Sequence, residues 1–426
     1  MKKISFCINT AVNEINHVKL LFRSLEKNLS SKEHEIIVFI DSDNQGTFEW
    51  LLTQKETFPN LKILKNNLPI CYGYARNINE MFKFASNEIV SYLQSDMVIC
   101  KNYDIEVLKY LEPNMILCST RIEPPLHGNS GEKITYDFGL DPKKFNLESF
   151  TQYTEKQKQE RTTEYFFAPF TLYKDTWNSI GGHDTLFRRS REDSDILTRL
   201  VLNNSKIIQV WNAIVYHFTC TSSRGKDWFN PNNQEAQNRV KLQQIADNIE
   251  LNRFYKKWGR FNHSTDKIKH YNITANILGK NPILNKFLAF ESFFDKIYVE
   301  DETIIPLVQN EYDKQHNIAN ELLNISFESW EKYGYMYNQL KANDRIKPLS
   351  KSKGDIIIKF DINEVDEVNI QQFLPYLQQI IDETKELGEF EYGPFKFIIN
   401  NKIDRSDLKK IIINPKIKKE HLYTIH

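Results

Sequence analysis

A chain of 426 residues is longer than one hydrophobic core ordinarily organises, which points to one large domain and one or two smaller ones. Its 56 basic residues balance 56 acidic ones, and no stretch gathers lysine and arginine into the stripe that a phosphate backbone requires, so nucleic acid is not an expected partner. The five cysteines, Cys7, Cys71, Cys100, Cys118 and Cys220, are scattered and odd in number, a pattern of reduced thiols that argues against disulfides and zinc knuckles.

The opening MKKISFCINT has an apolar run that stops at Asn9, too short for a signal-peptide core, and no later stretch has the length of a transmembrane helix. A soluble, cytoplasmic protein is expected. Short β-branched apolar runs then follow at Ile4 to Ile8, Ile36 to Ile40, Leu61 to Leu64 and Ile89 to Leu93. Between them lie helical periods at Ile15 to Leu29, Phe48 to Phe58 and Ala75 to Ala85. This alternation predicts an α/β fold, a mostly parallel sheet flanked by helices and joined by right-handed crossovers. Ligands of such a sheet sit beyond the carboxyl ends of its strands, where Asn9, Thr10, Asp41, Asp43, Gln94, Ser95 and Asp96 fall.

Between Arg121 and Glu164 the rhythm dissolves into RIEPPLHGNSGEK and a Lys/Gln/Glu-rich run, which reads as an insertion or lid near an acceptor. From Pro231 to Gly259 the pattern predicts one long helix, with proline in its first turn and a terminal glycine, closing a first domain of residues 1–260. Residues 261–349 read as mostly helical. Residues 350–426 read as a small α/β module: a strand at Ile356 to Phe360, a helix with Ile370, Phe373, Leu374, Leu377 and Ile381 on one face, and a strand at Phe395 to Ile399.

Five stretches can carry chemistry, and each has an ordinary reading beside the functional one. IIVFIDSD delivers Asp41 and Asp43 to a strand exit, where a carboxylate can accept hydrogen bonds from a base or ribose or simply satisfy loop amides. In CYGYARNINEMF, Gly73 permits a tight approach, and Arg76 and Asn77 open a helix whose amides and guanidinium favour a diphosphate; a solvated surface arginine is the ordinary alternative. YLQSDMVI breaks at Gln94-Ser95-Asp96, suited either to a hard divalent cation or to an Asx-turn. In GGHDTLFRRSREDSDILTRLV, Glu192 and Asp193 lie in a first helical turn, positions for a general base or for acids that merely complement the helix dipole. Asp195 and Arg199 there have the spacing of a surface ion pair. VWNAIVYHF ends a strand on His217, a good ligand for a manganese-like cation, though a lone histidine at a strand end is more often structural.

Taken in order, Asp41, the Gly73-to-Asn77 turn, Asp96 at a strand break, Gly181-Gly182-His183-Asp184, Glu192 to Asp195 and then His217 resemble the large inverting GT-A glycosyltransferase family often called family two. The resemblance covers roughly the first 220 to 260 residues and is most specific in GGHDTLF with REDSDILTRL. It implies Thr10 and Asp41 near the nucleoside and Arg76 near the diphosphate, with Asp43, Asn77, Ser95 and Asp96 also expected to bind the donor. It implies Asp96 and His217 on a divalent metal, Mn2+ or Mg2+. Asp193 is then the catalytic base, with Glu192 beside it and Gly182, His183 and Asp184 on the acceptor side. The implied partners are a UDP- or GDP-sugar donor and a glycan or other hydroxyl acceptor. The sequence departs from the family at Gln94, where the metal motif has its first acid, and at His183, where another aromatic usually stacks on the acceptor.

Two other readings compete with this one. A nucleotidyltransferase needs a basic phosphate-gripping loop early in the chain, whereas the first strand ends in NTAVNE. A non-catalytic sugar- or protein-binding scaffold would keep the fold and lose the metal through Gln94.

Overall fold

The computed structural model describes residues 2–11, 14–43, 45–67, 73–126, 128, 130–185, 187, 190–219, 234–258, 271–322, 341–350, 352–366, 373–384, 386–404 and 423–425. The chain divides into two compact units, one of Met1–Arg188, Ile196–Val240 and Ile411–His426, the other of Arg189–Asp195 and Lys241–Lys410.

The first unit follows the predicted alternation: β1 (Ile4–Thr10), α1 (Ile15–Asn28), β2 (Glu35–Ile40), α2 (Thr47–Thr53), β3 (Leu61–Asn66), α3 (Tyr74–Phe84) and β4 (Ile89–Gln94). Beyond the break at Ser95 and Asp96 come β5 (Met97–Ile99), α4 (Tyr103–Tyr110), β6 (Met115–Glu123), β7 (Lys133–Thr135), α5 (Leu147–Gln157), β8 (Thr162–Thr163), β9 (Phe170–Tyr173), α6 (Lys174–Ser179), α7 (Glu192–Leu202) and β10 (Lys206–His217). The main path of the sheet runs β3-β2-β1-β4-β9-β6-β10-β5, with β1, β2, β3 and β4 mutually parallel. That is the mixed, mostly parallel form the GT-A expectation requires. Every residue of β2 is buried, as are Ile4 to Ile8 of β1, because helices cover both faces of a parallel sheet. Each such Ile, Val or Phe contributes about 1.5–3 kcal/mol on burial. A one-residue slip would forfeit many of these at once, so register is strongly held and the strand ends are delivered to fixed places.

β10 pairs with β6 in parallel, but the register jumps between Val210 opposite Ser119 and Ile214 opposite Thr120. Trp211, Asn212 and Ala213 are extra residues on the β10 side, a bulge that advances everything after them.

The second unit contains the end of α8 (Gln234–Trp258) and then β11 (Ile273–Leu278), α9 (Leu284–Glu291), β12 (Lys296–Val299), α10 (Ile304–Leu322), α11 (Ala342–Arg345), β13 (Ile346–Pro348), β14 (Ile356–Asp361), α12 (Leu377–Glu383), β15 (Gly388–Tyr392) and β16 (Phe395–Ile399). Pro231, Gly259 and Ile370, all named from the sequence, lie outside the described residues. β11 to β16 form one six-stranded sheet of order β13-β12-β11-β14-β16-β15. Three of these strands, β11, β12 and β13, lie within residues 261–349 beside the helices α9, α10 and α11, and share their sheet with β14, β15 and β16. Ile273, Ala275 and Ile277 point into the core while Thr274 and Asn276 alternate with them, a period of two too short to stand out beside the longer helices. On the core face Phe287, Phe290, Val308, Leu374, Leu377 and Ile381 cover the strands. A buried Glu291 takes Lys256 at 2.9 Å and Arg345 at 2.6 Å, and burial pushes the Lys256 ammonium down to about 8. No helix among the described residues is long and apolar enough to cross a membrane.

Candidate active site

The in-register ends of β1, β2 and β4 bring the first polar group together. Thr10 is fully buried, and its carbonyl accepts the Asp41 amide at 2.9 Å. Asp41 is itself buried; its Oδ2 accepts the Gly73 amide at 2.9 Å and its Oδ1 accepts the Asn66 side chain at 3.1 Å. Gly73 precedes α3 with φ +94°, a backbone conformation that a side chain would resist. Asn77 is fully buried and donates to Asn9 Oδ1 at 2.6 Å, which ties α3 to the end of β1 and leaves Arg76 half-buried in the same first turn. Asp43 does something else. Its two oxygens accept the Gln45 amide at 3.0 Å and the Phe48 amide at 2.9 Å, and although partial burial pushes its carboxyl up, these amides hold it below the usual value. It thus ties down the loop and the start of α2, the ordinary role that the sequence also allows.

The second group forms around the break after β4. Ser95 donates to Glu14 Oε2 at 2.6 Å, and the Asp96 carbonyl accepts the Phe218 amide at 3.1 Å, so the turn is tied to both α1 and the end of β10. His217 Nε2 lies 3.8 Å from Asp96 Oδ1, and His217 Nδ1 lies 2.8 Å from Glu123 Oε1. Glu123 is buried, which raises its carboxyl, but His217, Arg121 and Lys133 outweigh this and hold it well below the ordinary carboxylate range. An ionised Glu123 at 2.8 Å is placed to accept a hydrogen from Nδ1, and an imidazole in that neutral tautomer would direct its Nε2 lone pair toward Asp96.

Three observations test this place for a divalent cation. Two ligand atoms on one such ion lie between about 3 and 4.3 Å apart, and the Asp96–His217 separation of 3.8 Å falls in that range. A second-sphere carboxylate behind the histidine is what a metal-bound imidazole ordinarily has. Gln94 Oε1, in place of the missing acid, is a buried neutral oxygen with no hydrogen-bond partner. The residues fit. Among the described residues no group of three or more His, Cys, Asp or Glu side chains is arranged to hold a metal, so an ion here would take the rest of its shell from neutral oxygens, water and substrate phosphate.

Sequence reasoning missed Glu14 and Glu123. Glu14 was visible as the acid of NTAVNE just before α1; Glu123 had no signal, since only the partner strand shows what it faces. Burial, and after it the charge of Asp96, pushes Glu14 up to about 7 from 4.5. Below about pH 4.5 the folded protein carries this group neutral at no charge-burial cost; the cost grows as pH rises to about 7 and is complete above it. Glu14→Gln is therefore expected to stabilise the metal-free protein by up to about 3 kcal/mol at about pH 8 and by nearly nothing at about pH 4, read from chemical unfolding in chelator. Equal effects at both pH values would refute the burial argument.

GGHD folds as a tight turn after α6. Asn79 accepts the His183 amide and donates to the His183 carbonyl, both at 2.8 Å. The His183 ring is fully buried, 5.0 Å from Trp177 and 5.7 Å from Tyr74, and Asp184 is buried too. The ring packs in the core against Trp177 and Tyr74, so any part of His183 in acceptor binding would not be stacking of a sugar on its face. Gly182 has φ +74°, and a Cβ there would sit 2.6 Å from Asn79 Oδ1 and 2.8 Å from Trp177 Nε1. Gly182→Ala is expected to cost about 2 kcal/mol or more, seen as a lower urea midpoint.

Glu192 and Asp193 open α7, whose residues up to Asp195 belong to the second unit and whose remainder belongs to the first. Burial, then the charges of Asp193, Glu250 and Asp247, push the Glu192 carboxyl well above its ordinary value. Asp195 and Arg199 are not a surface pair. Asp195 is fully buried against Lys257 at 2.7 Å and Trp258 Nε1 at 2.8 Å, while Arg199, also buried, donates to the Ile180 carbonyl at 2.7 Å.

These features define a class of protein: an α/β unit whose parallel sheet ends in a buried carboxylate, a guanidinium at a helix start and an aspartate–histidine pair 3.8 Å apart. Among solved structures the chain is similar to S. aureus TarS, with TM-score 0.41 and 13% identity over 77% of this chain and 54% of that one. It is similar to GalNAc-T7 solved with UDP, GalNAc and Mn2+, at 0.39 and 12% over 60% and 50% of the two chains. It is also similar to the mannosyltransferase PcManGT from Pyrobaculum calidifontis solved with GDP-Man and Mn2+, at 0.39 and 14% over 59% and 65%. The match thus spans about half the length of the first two. No protein-family model and no curated protein matches the sequence. Likeness at this level speaks to no activity; the functional reading rests on the geometry above.

Proposed function

We propose that this chain is a metal-dependent glycosyltransferase of the GT-A type, moving a sugar from a nucleoside diphosphate donor to an acceptor hydroxyl with inversion. The observation that carries the reading is the Asp96–His217 pair, 3.8 Å apart with Glu123 behind the imidazole, at the carboxyl edge of a parallel sheet. Asp41 and Thr10 take the nucleoside. Arg76 and the start of α3 take the diphosphate, since a guanidinium and helix amides both favour an anion. Bound at Asp96 and His217, Mn2+ or Mg2+ supplies counter-charge for the departing nucleoside diphosphate.

Asp193 removes the proton of the acceptor hydroxyl as that oxygen bonds to the anomeric carbon. The bond from that carbon to the phosphate oxygen breaks, its electron pair leaves with the nucleoside diphosphate, and attack from the opposite face inverts the centre. Incubation with UDP- and GDP-sugars in Mn2+ is expected to release nucleoside diphosphate, with release abolished by chelator. Pyrophosphate as the product would instead point to nucleotidyl transfer, and no turnover with any donor, with or without Mn2+, to a binding scaffold.

A further inference from the structure

We infer that Asn66, clamped by the strand at residues 423–425, is the residue that positions Asp41 for the nucleoside; the inference rests on the donor reading of Asp41 given above. β3 is the outermost of the four parallel strands, and its far edge would present unpaired amides and carbonyls. That edge is covered by β17 (Tyr423–Ile425), which runs antiparallel to it with Tyr423 opposite Asn66, Thr424 opposite Lys65 and Ile425 opposite Leu64. Asn66 is thus the last residue of β3 and lies opposite the first residue of β17.

Its side chain reaches back across β2. The Asn66 amide nitrogen donates to the Asp41 carbonyl at 2.9 Å and to Asp41 Oδ1 at 3.1 Å. The other carboxylate oxygen accepts the Gly73 amide at 2.9 Å, from the residue that opens α3. Each carboxylate oxygen of Asp41 is therefore oriented by a protein donor, Oδ1 by the Asn66 side chain and Oδ2 by the Gly73 amide. A carboxylate fixed in this way needs no reordering when a ribose or base arrives, and removing that ordering cost is worth affinity. Asn66 touches Asp41 and not the reacting atoms; its action is through Asp41. The strand at 423–425 holds the Asn66 backbone at the level from which the side chain spans both acceptors. A segment more than 350 positions away in sequence thereby belongs to the donor site, a juxtaposition made only by the pairing of β17 with β3.

The test is calorimetric titration of the full chain with UDP, GDP and inorganic pyrophosphate, each with Mn2+. Asn66→Ala is expected to weaken binding of the nucleotide that the wild type prefers by about tenfold, with pyrophosphate binding unchanged within about twofold. Asn66→Asp, which sets a second charge against Asp41, should be weaker still. Removal of residues 423–426 is expected to shift nucleotide affinity in the same direction as Asn66→Ala. Asp41→Ala is the separating control. If Asp41→Ala leaves nucleotide affinity intact, the donor reading of Asp41 fails and the inference falls with it. If Asp41→Ala weakens the nucleotide and Asn66→Ala does not, the inference alone is overturned. Equal loss of nucleotide and pyrophosphate in Asn66→Ala also overturns it, because that marks a general collapse of the edge.

Discussion

Asp193→Asn is expected to slow sugar transfer by about two to four orders of magnitude, the usual worth of a positioned general base, while the Kd for the donor changes little. The physical reason is that a hydroxyl is a poor nucleophile at neutral pH, and an amide cannot take its proton. Glu192→Gln provides the contrast. Burial and the neighbouring charges already hold Glu192 well above the ordinary range, so an amide there resembles the protonated side chain it replaces. Its activity is expected to stay within about tenfold of wild type. Rate constants from donor turnover with saturating acceptor decide the matter: loss in Glu192→Gln with full activity in Asp193→Asn would exchange the roles of the two acids, and full activity in both would remove this turn from the chemistry.

Asp96→Ala is expected to abolish Mn2+-dependent binding of the nucleoside diphosphate, since Asp96 supplies the charged oxygen of the proposed Asp96–His217 pair. His217→Ala should weaken Mn2+ binding strongly. Glu123→Gln should weaken it by about 10- to 100-fold without removing any ligand, because an amide cannot fix the Nδ1 hydrogen as a carboxylate does. Mn2+ titration followed by electron paramagnetic resonance reads the ion directly, apart from turnover. Unchanged Mn2+ affinity in Asp96→Ala would place the cation elsewhere and leave the Asp96–His217 approach as a structural contact.

Glu123 marks where the sequence stopped being informative. From local pattern alone, the β-branched runs define β1 to β4, and the polar residues after them mark the carboxyl edge, because strand period and turn chemistry are properties of a few neighbouring residues. Asp41, Asp96 and the opening of α3 follow from that. Asp43 was visible but ambiguous, since loop-capping and ligand-binding acids look alike until their hydrogen-bond partners are known.

Other features depend on residues far apart in the chain meeting. Were Trp211 to Ala213 paired in register rather than bulged, the offset that pairs Val210 with Ser119 would carry Ile214 to the level of Glu123; the bulge brings His217 there instead. Asp195 reads as half of an i, i+4 surface pair, yet Lys257 and Trp258 claim it from another helix. His183 reads as an acceptor-side residue in place of the usual aromatic, and its ring packs against Trp177 and Tyr74. By itself the sequence determined which residues can form strands, helices and turns, because that depends on short-range sterics and periodicity. Which side chains share a site was decided only by tertiary structure, because register, bulges and burial depend on contacts between segments that local pattern does not encode.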